Sequence, residues 1–267
     1  MVKKGIETDM EKPFKVLLLA YPDNPVGSVF IRAFLRNSIP LAGVLVETKT
    51  TGINWKRIRT KIRKDGLVQA FLRIFEVWLL KVRKQTVIGV ATRNEIPVFR
   101  VDRFNSPECA SMIASLKIDL LAIASAPILK DYIFKKAGIG CLNAHPGWLP
   151  KYRGVGANRA AILHGEMPGI CIHFVDAGID TGRLILREKL PLRRWDTIAS
   201  INDRASARGA ELMAQVIHRI SNHELELLET DEPAGECYPP GRYGEIKTVN
   251  RMIRRLYERQ VRDTHAV

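Results

Sequence analysis

Two apolar segments near the start of the chain, joined by a helical segment, constrain the fold more than any other feature. Residues 15–20 form a short apolar run that ends at a cluster of Pro, Asp and Asn, which is typical of a strand covered on both faces. Residues 29–36 have helical periodicity, with Ser28 as a candidate N-cap, and residues 41–47 form a second apolar run. Because no hairpin turn joins the two strands, the sequence predicts a βαβ unit and therefore a parallel sheet.

The alternation of strands and helices continues to residue 221. Further strands are predicted at residues 96–101, 119–124, 139–143, 169–175 and 183–190, and helices at 106–116, 128–136, 157–164 and 196–221, the last with Asp196 as its N-cap. No repeat or low-complexity linker interrupts this order. We therefore expect an N-terminal tail (1–14), one α/β domain with a doubly wound sheet (15–222) and a basic C-terminal extension (223–267), in which residues 250–260 are predicted to form an amphipathic helix.

The net charge of +14 is concentrated in two segments. Residues 49–84 hold eleven Lys or Arg against two acidic residues, and residues 241–267 hold seven against three. This distribution argues against a molecule that binds nucleic acid over its whole surface. For residues 49–84 two interpretations stay open: a crossover helix with a solvated basic face, or a surface that contacts a membrane, RNA or an acidic substrate.

The cysteines and the apolar runs argue against several classes of protein. The four cysteines form no CxxC pair and have no histidine at metal-ligand spacing, so we expect buried thiols and no metal site. The polar N-terminal residues do not resemble a secretory signal. The longest apolar run, residues 77–80, is far too short to span a membrane. We therefore expect a cytoplasmic protein.

Two polar stretches follow predicted strands and contain candidate catalytic residues. Side chains alternate along a strand, so Asn143 and His145 are predicted to point to the same side. Pro146 ends that strand, which places both side chains at the end of the sheet where doubly wound proteins bind ligands. Asp180 lies in a Gly-rich loop after the next strand, and two interpretations stay open for it. The loop is either an ordinary turn or cap, or a flexible loop that brings Asp180 to His145, where it raises the pKa of the imidazole and relays protons.

The joint pattern of these stretches resembles the folate-dependent formyltransferase family. That family includes methionyl-tRNA formyltransferase, glycinamide ribonucleotide formyltransferase, formyltetrahydrofolate hydrolase and the sugar N-formyltransferases. The resemblance covers about residues 15–220 and rests on three motifs: Asn143-x-His145-Pro146, Leu149-Pro150-Lys151-Tyr152-Arg153-Gly154, and Gly169-x-x-x-His173-x-x-Asp176-x-Gly178-x-Asp180-x-Gly182.

The resemblance implies a fold, a reaction and a set of site residues. The fold is a mostly parallel, Rossmann-like sheet of about seven strands. The co-substrate is 10-formyltetrahydrofolate, and no metal is implied. Asn143 and a protonated His145 are expected to stabilise the oxyanion of acyl transfer, with Asp180 holding His145 charged. The folate is expected to contact Ala126, Pro127, Ile128 and Leu129 on one side and Val175, Asp176, Ala177 and Gly178 on the other.

The acceptor amine is narrowed by departures from the family pattern. The first βα turn contains Pro22 and Pro25 where a phosphate-binding turn would be rich in glycine, which argues against a purine-pathway substrate. The residues before the first strand and after Ser221 are expected to be too few for the extra domains of the hydrolase and of the tRNA enzyme. An amino sugar on a nucleotide or lipid carrier is therefore the leading expectation. A tRNA enzyme, a hydrolase and a non-enzymatic folate-binding module are the alternatives.

Overall fold

Seven strands form one sheet in the computed structural model, which describes residues 13–48, 85–241 and 243–265. The strands are β1 (Val16–Ala20), β2 (Leu41–Glu47), β3 (Val98–Val101), β4 (Leu120–Ile123), β5 (Gly140–His145), β6 (Gly169–Phe174) and β7 (Leu184–Lys189). Their order across the sheet is β3-β2-β1-β4-β5-β6-β7. The α/β sheet and its mostly parallel, doubly wound arrangement are therefore confirmed.

The topology of the sheet changes at two places that matter for the site. From β1 the chain first builds outward through β2 and β3, and then crosses back to add β4 and β5 on the other side of β1. The carboxyl ends of β1 and β4 therefore border a topological switch point, where this type of sheet binds ligands. The second change comes after β5, because β6 is antiparallel to both β5 and β7.

The helices cover both faces of the sheet. They are α1 (Pro25–Arg36), α2 (Val87–Arg93), α3 (Pro107–Leu116), α4 (Asp131–Phe134), α5 (Ala157–Leu163), α6 (Ile198–Ser221) and α7 (Ile246–His265), with a 3₁₀ turn at Tyr243–Glu245. Apolar residues of α1, α2 and α6 pack on one face, and those of α3 and α4 pack on the other. Both layers are needed because the central strands are buried on both sides.

Helix α1 begins four residues earlier than the sequence predicts. Pro25 is its first residue, and the Asn24 side chain caps it by accepting a hydrogen bond from the Val26 amide at 3.0 Å. Proline suits this position because the first helical N–H groups have no partner within the helix. Ser28, the predicted N-cap, is instead buried inside the helix and donates its hydroxyl to the Gln85 carbonyl at 2.7 Å.

Other predicted boundaries also shift. Thr197 rather than Asp196 caps α6, through a capping box with Ser200, while Asp196 pairs with Arg204. Strand β5 continues to His145, α4 is shorter than predicted, and α7 is longer at both ends.

Residues 49–84, for which the sequence leaves two interpretations open, lie outside the described residues. In the ranges that are described, no helix is long and apolar enough to cross a membrane.

Candidate active site

Asn143 and His145 lie at the carboxyl end of β5 and point to the same side of the sheet. The intervening Ala144, like Leu142, packs into the layer formed with α1 and α6, whereas Cys141 packs into the opposite layer. The predicted alternation is therefore confirmed. His145 is 4% exposed and its ring lies deep in the site.

His173 on β6 faces Asn143 because the two residues are paired across the antiparallel β5–β6 ladder. The Asn143 amide nitrogen lies 3.2 Å from His173 Nε2, and His173 Nδ1 lies 2.7 Å from the Phe174 carbonyl oxygen. A carbonyl only accepts, so Nδ1 carries the hydrogen and Nε2 accepts from Asn143. Burial lowers the pKa of His173 and so favours this neutral form. The sequence motif contained His173, but we predicted no role for it.

The loop after β6 brings Asp180 to His145, as the sequence predicts. Asp176 orders this loop by accepting hydrogen bonds from the Gly178 amide at 3.0 Å and the Thr181 hydroxyl at 2.6 Å. Asp180 has a left-handed backbone (φ 53°), and its Oδ2 lies 3.3 Å from His145 Nδ1. The same oxygen accepts a hydrogen bond from the Gly154 amide at 2.8 Å.

The two nitrogens of His145 have different partners. Nε2 donates to the Tyr152 carbonyl at 3.2 Å, which leaves Nδ1 to face Asp180. Burial lowers the pKa of His145 to about 4, and the Asp180 carboxylate opposes this effect. The predicted contribution of Asp180 thus has the right direction. Burial disfavours the charged form, whereas the geometry favours it, because both ring nitrogens face oxygens that only accept; a charged His145 stays a prediction.

A cavity of about 670 Å³ opens beside these side chains. Seven of the eight predicted folate contacts line it, on two of its sides: Ala126, Pro127, Ile128 and Leu129 after β4, and Val175, Asp176 and Gly178 after β6. Ala177 does not line the cavity. The remaining wall includes Asn143, His145, His173 and Asp180, so that the polar groups converge at one end of a mostly apolar space.

The cavity also has a wall that the sequence did not predict. Cys237, Tyr238, Pro239 and Pro240, from the C-terminal extension, line it next to Gly154 and Val155. No local signal marks these residues as part of a site, because they are brought there by contacts with a loop more than eighty residues earlier in the chain. Cys237 is exposed, unlike the other three cysteines, so the prediction of buried thiols is wrong for this residue.

The described ranges contain no group of three or more His, Cys, Asp or Glu side chains that is arranged to hold a metal ion. Burial raises the pKa of the Cys171 thiol to about 12, and this thiol donates to the Gly147 carbonyl at 2.9 Å. The thiol therefore makes a structural contact with the segment that follows β5.

The sequence profile described as formyl transferase matches residues 76–217, which is more than half of the chain. The chain belongs to the formyl transferase family. Methionyl-tRNA formyltransferase of Citrifermentans bemidjiense is 34% identical to it over 153 residues, which is 57% of this chain and 48% of that protein. The chain thus spans about half the length of this relative.

Solved structures with a similar fold cover more of the chain. A sugar N-formyltransferase from Shewanella aligns over 91% of this chain and 87% of its own, with a TM-score of 0.58 and 14% identity. An N-formyltransferase from Helicobacter canadensis, in complex with folinic acid and dTDP-3-aminofucose, aligns over 85% and 71%, with a TM-score of 0.55 and 20% identity. At identities of 14% and 20%, the similarity shows that this chain and the two solved structures share a fold.

Proposed function

We propose that this protein, with residues 15–222 as its catalytic domain, transfers a formyl group from 10-formyltetrahydrofolate to an amine, and that the amine belongs to an amino sugar on a nucleotide or lipid carrier. The observation that carries the proposal is the convergence of Asn143, His145 and Asp180 at one end of the cavity. These are an amide donor, an imidazole and a carboxylate, which are the groups that acyl transfer to an amine requires.

Asn143 supplies the hydrogen bond to the developing oxyanion. Its amide nitrogen carries two hydrogens, and His173 accepts one of them. Within the described structure the second has no protein partner. It therefore remains for the formyl oxygen, which becomes negative as the amine attacks. Such a donor typically contributes about 3 kcal/mol to the stability of the transition state.

His145 and Asp180 move the proton. The attacking amine loses one proton as the new C–N bond forms, and the folate nitrogen gains one as the old C–N bond breaks. Asp180 reaches the cavity and stands 3.3 Å from His145 Nδ1. Burial opposes a positive charge on the imidazole, so the His145–Asp180 pair can take up this proton and hold it between Nδ1 and the carboxylate. The pair therefore accepts the proton first and returns it to the leaving nitrogen.

The residues around the cavity fit a folate on one side. Residues 124–130 after β4 lie outside any helix or strand, and within the described structure the backbone groups of Ala126 and Leu129 make no hydrogen bond, which leaves them for a heterocycle. Pro127, Ile128 and Val175 add apolar contacts. The pteridine ring of a folate is flat and has several hydrogen-bonding atoms on its edge, which suits a mostly apolar cavity with a few polar groups.

The turn that leads into α1 is poorly suited to bind the phosphate of a small phosphorylated amine, which argues for another kind of acceptor. Asn24 and Val26 line the cavity, at the position where a helix N-terminus usually binds a phosphate. Pro25 has no N–H, and the Val26 N–H already donates to Asn24. The amino-sugar assignment is further supported by the sugar N-formyltransferase that aligns over most of the chain. Cytoplasmic location and contact of the basic segments with RNA or a membrane stay predictions.

Formyl transfer with purified protein tests the proposal. We expect tetrahydrofolate release that depends on a nucleotide- or lipid-linked amino sugar and that falls by about 10²–10³-fold in His145→Ala. His218→Ala is the control, because this histidine lies on α6 and bonds to the Asn37 carbonyl, away from the cavity. Formyl transfer to methionyl-tRNA and not to the amino sugar would show that the acceptor is an aminoacyl-tRNA. Release of tetrahydrofolate without any acceptor would indicate a hydrolase. Full activity of His145→Ala would refute the mechanism.

A further inference from the structure

The C-terminal strap, which we define as residues 235–240, runs along the catalytic loop of residues 150–156. A parallel bridge pairs Arg153 with Cys237. The Arg153 amide donates to the Glu236 carbonyl at 3.3 Å, and the Tyr238 amide donates to the Arg153 carbonyl at 2.8 Å. Both backbone groups of Arg153 are therefore used by the strap.

The neighbours of Arg153 use their backbone groups in the opposite direction. The Tyr152 carbonyl accepts from His145 Nε2, and the Gly154 amide donates to Asp180 Oδ2. In an extended chain, successive residues present their N–H and C=O groups to opposite edges. Residues 152–154 thus act as a short strand with two edges. One edge holds the strap, and the other holds His145 and Asp180.

The Arg153 side chain adds a second fastening to the same strap. Its Nε and one terminal nitrogen both donate to the Gly235 carbonyl, at 3.0 and 2.7 Å. The planar guanidinium is suited to such paired donation, which fixes orientation as well as distance.

The strap and the loop are also in close contact without intervening side chains. A Cβ on Gly156 would lie 2.2 Å from the Pro239 carbonyl oxygen, and one on Gly154, where φ is +81°, would lie 2.7 Å from the Tyr238 carbonyl oxygen. Both positions therefore require glycine for the strap to lie where it does. The close fit limits how far the loop can move while the strap is in place.

We propose that the strap is a positioning element for the reaction and that Arg153 is its anchor. By holding one edge of residues 152–154, the strap fixes the carbonyl and the amide on the other edge, and these set the orientation of His145 and the position of Asp180. This inference deepens the proposed function and rests on it for its kinetic consequences. The three residues after Pro150 thus have separate contacts: Lys151 pairs with Glu166, Tyr152 is buried, and Arg153 anchors the strap.

Arg153→Met tests the inference, because it removes both donors to Gly235 and keeps a side chain of similar length. We expect kcat to fall by about 10–100-fold, since small displacements of catalytic groups have effects of this size. KM for the folate is expected to stay within about 3-fold, because the residues after β4 are untouched. Arg153→Lys retains one donor and is expected to recover part of kcat.

The ring of His145 provides a readout that does not depend on turnover. In ¹⁵N NMR spectra, assigned with His145→Gln, the wild type is expected to show one tautomer with hydrogen on Nε2, held by the Tyr152 carbonyl. Arg153→Met is expected to give mixed tautomers and faster exchange of that hydrogen. The charged or titratable groups that face the ring, and that have to be included in the pH series, are Asp180 and His173.

Arg187→Met is the matched control. Arg187 binds Glu232, three residues before the strap, and the Leu149 carbonyl, but makes no hydrogen bond to residues 152–154. We expect kcat within about 3-fold of the wild type and an unchanged His145 spectrum. An equal loss in Arg187→Met, or wild-type kcat and tautomer in folded Arg153→Met, would overturn the inference. If the wild type transfers no formyl group, the proposed function fails, and the NMR comparison alone decides the role of the strap.

Discussion

Asp180→Asn separates the chemistry of Asp180 from its structural role. The φ of +53° at this position is one that Asn tolerates, whereas Ala would add backbone strain of about 1 kcal/mol. In the wild type the Gly154 amide donates to Asp180 Oδ2 at 2.8 Å, and an Asn side chain keeps an oxygen that accepts this hydrogen bond. The loop is therefore expected to keep its conformation in the variant, with a change in the unfolding free energy below about 1 kcal/mol.

The catalytic loss in this variant follows from the missing carboxylate. An amide does not accept the amine proton, and removal of a general base typically costs 10²–10⁴-fold, or about 3–5 kcal/mol. Since Asp180 raises the pKa of His145 against burial, that pKa is expected to fall further in the variant. The assay is single-turnover formyl transfer, with folate affinity measured by calorimetry. A folded variant that keeps more than a tenth of the wild-type rate would refute a role for Asp180 in proton transfer.

Three further predictions concern stability. Gly156→Ala places a Cβ 2.2 Å from a strap carbonyl and is expected to cost about 1–3 kcal/mol in urea unfolding, whereas Gly138→Ala, with no contact closer than 3.9 Å, is expected to change little. Burial lowers the pKa values of His145 and His173. Between about pH 6.5 and 4 the unfolded chain therefore binds protons at these histidines that the folded chain does not, and the free energy of unfolding is expected to fall as the pH falls, by up to about 3 kcal/mol for His145. Urea midpoints that do not change with pH would contradict this. Asn24→Ala is expected to cost about 1 kcal/mol through loss of the α1 cap, and an unchanged melting temperature would contradict it.

Local sequence patterns were reliable where local physics determines the structure. Continuous apolar runs gave the buried strands, and the period of two placed Asn143 and His145 on one side. The errors at helix starts had local causes too. Pro25 and Thr197 are good first-turn and capping residues, and the sequence contained these signals, but the predictions favoured Ser28 and Asp196.

Apart from the approach of Asp180 to His145, contacts between distant segments were not predicted from the sequence. The position of His173 opposite Asn143 depends on β6 being antiparallel to β5, a direction that β6 does not encode by itself. The ionisation of His145 depends on how deeply the ring is buried, which outweighs the charge of Asp180.

The sequence by itself thus determined the strand–helix alternation, the parallel part of the sheet and the common side of β5 on which Asn143 and His145 lie. Each of these follows from periodicity within a few residues. Apart from the contact between Asp180 and His145, only the tertiary structure decided which partners those residues meet. The strap meets the catalytic loop because Gly154 and Gly156 leave room for it, and Arg153 joins the two across more than eighty residues of chain. Such contacts depend on the packing of the whole molecule, since the free energy that holds them comes from surfaces that only the folded chain brings together.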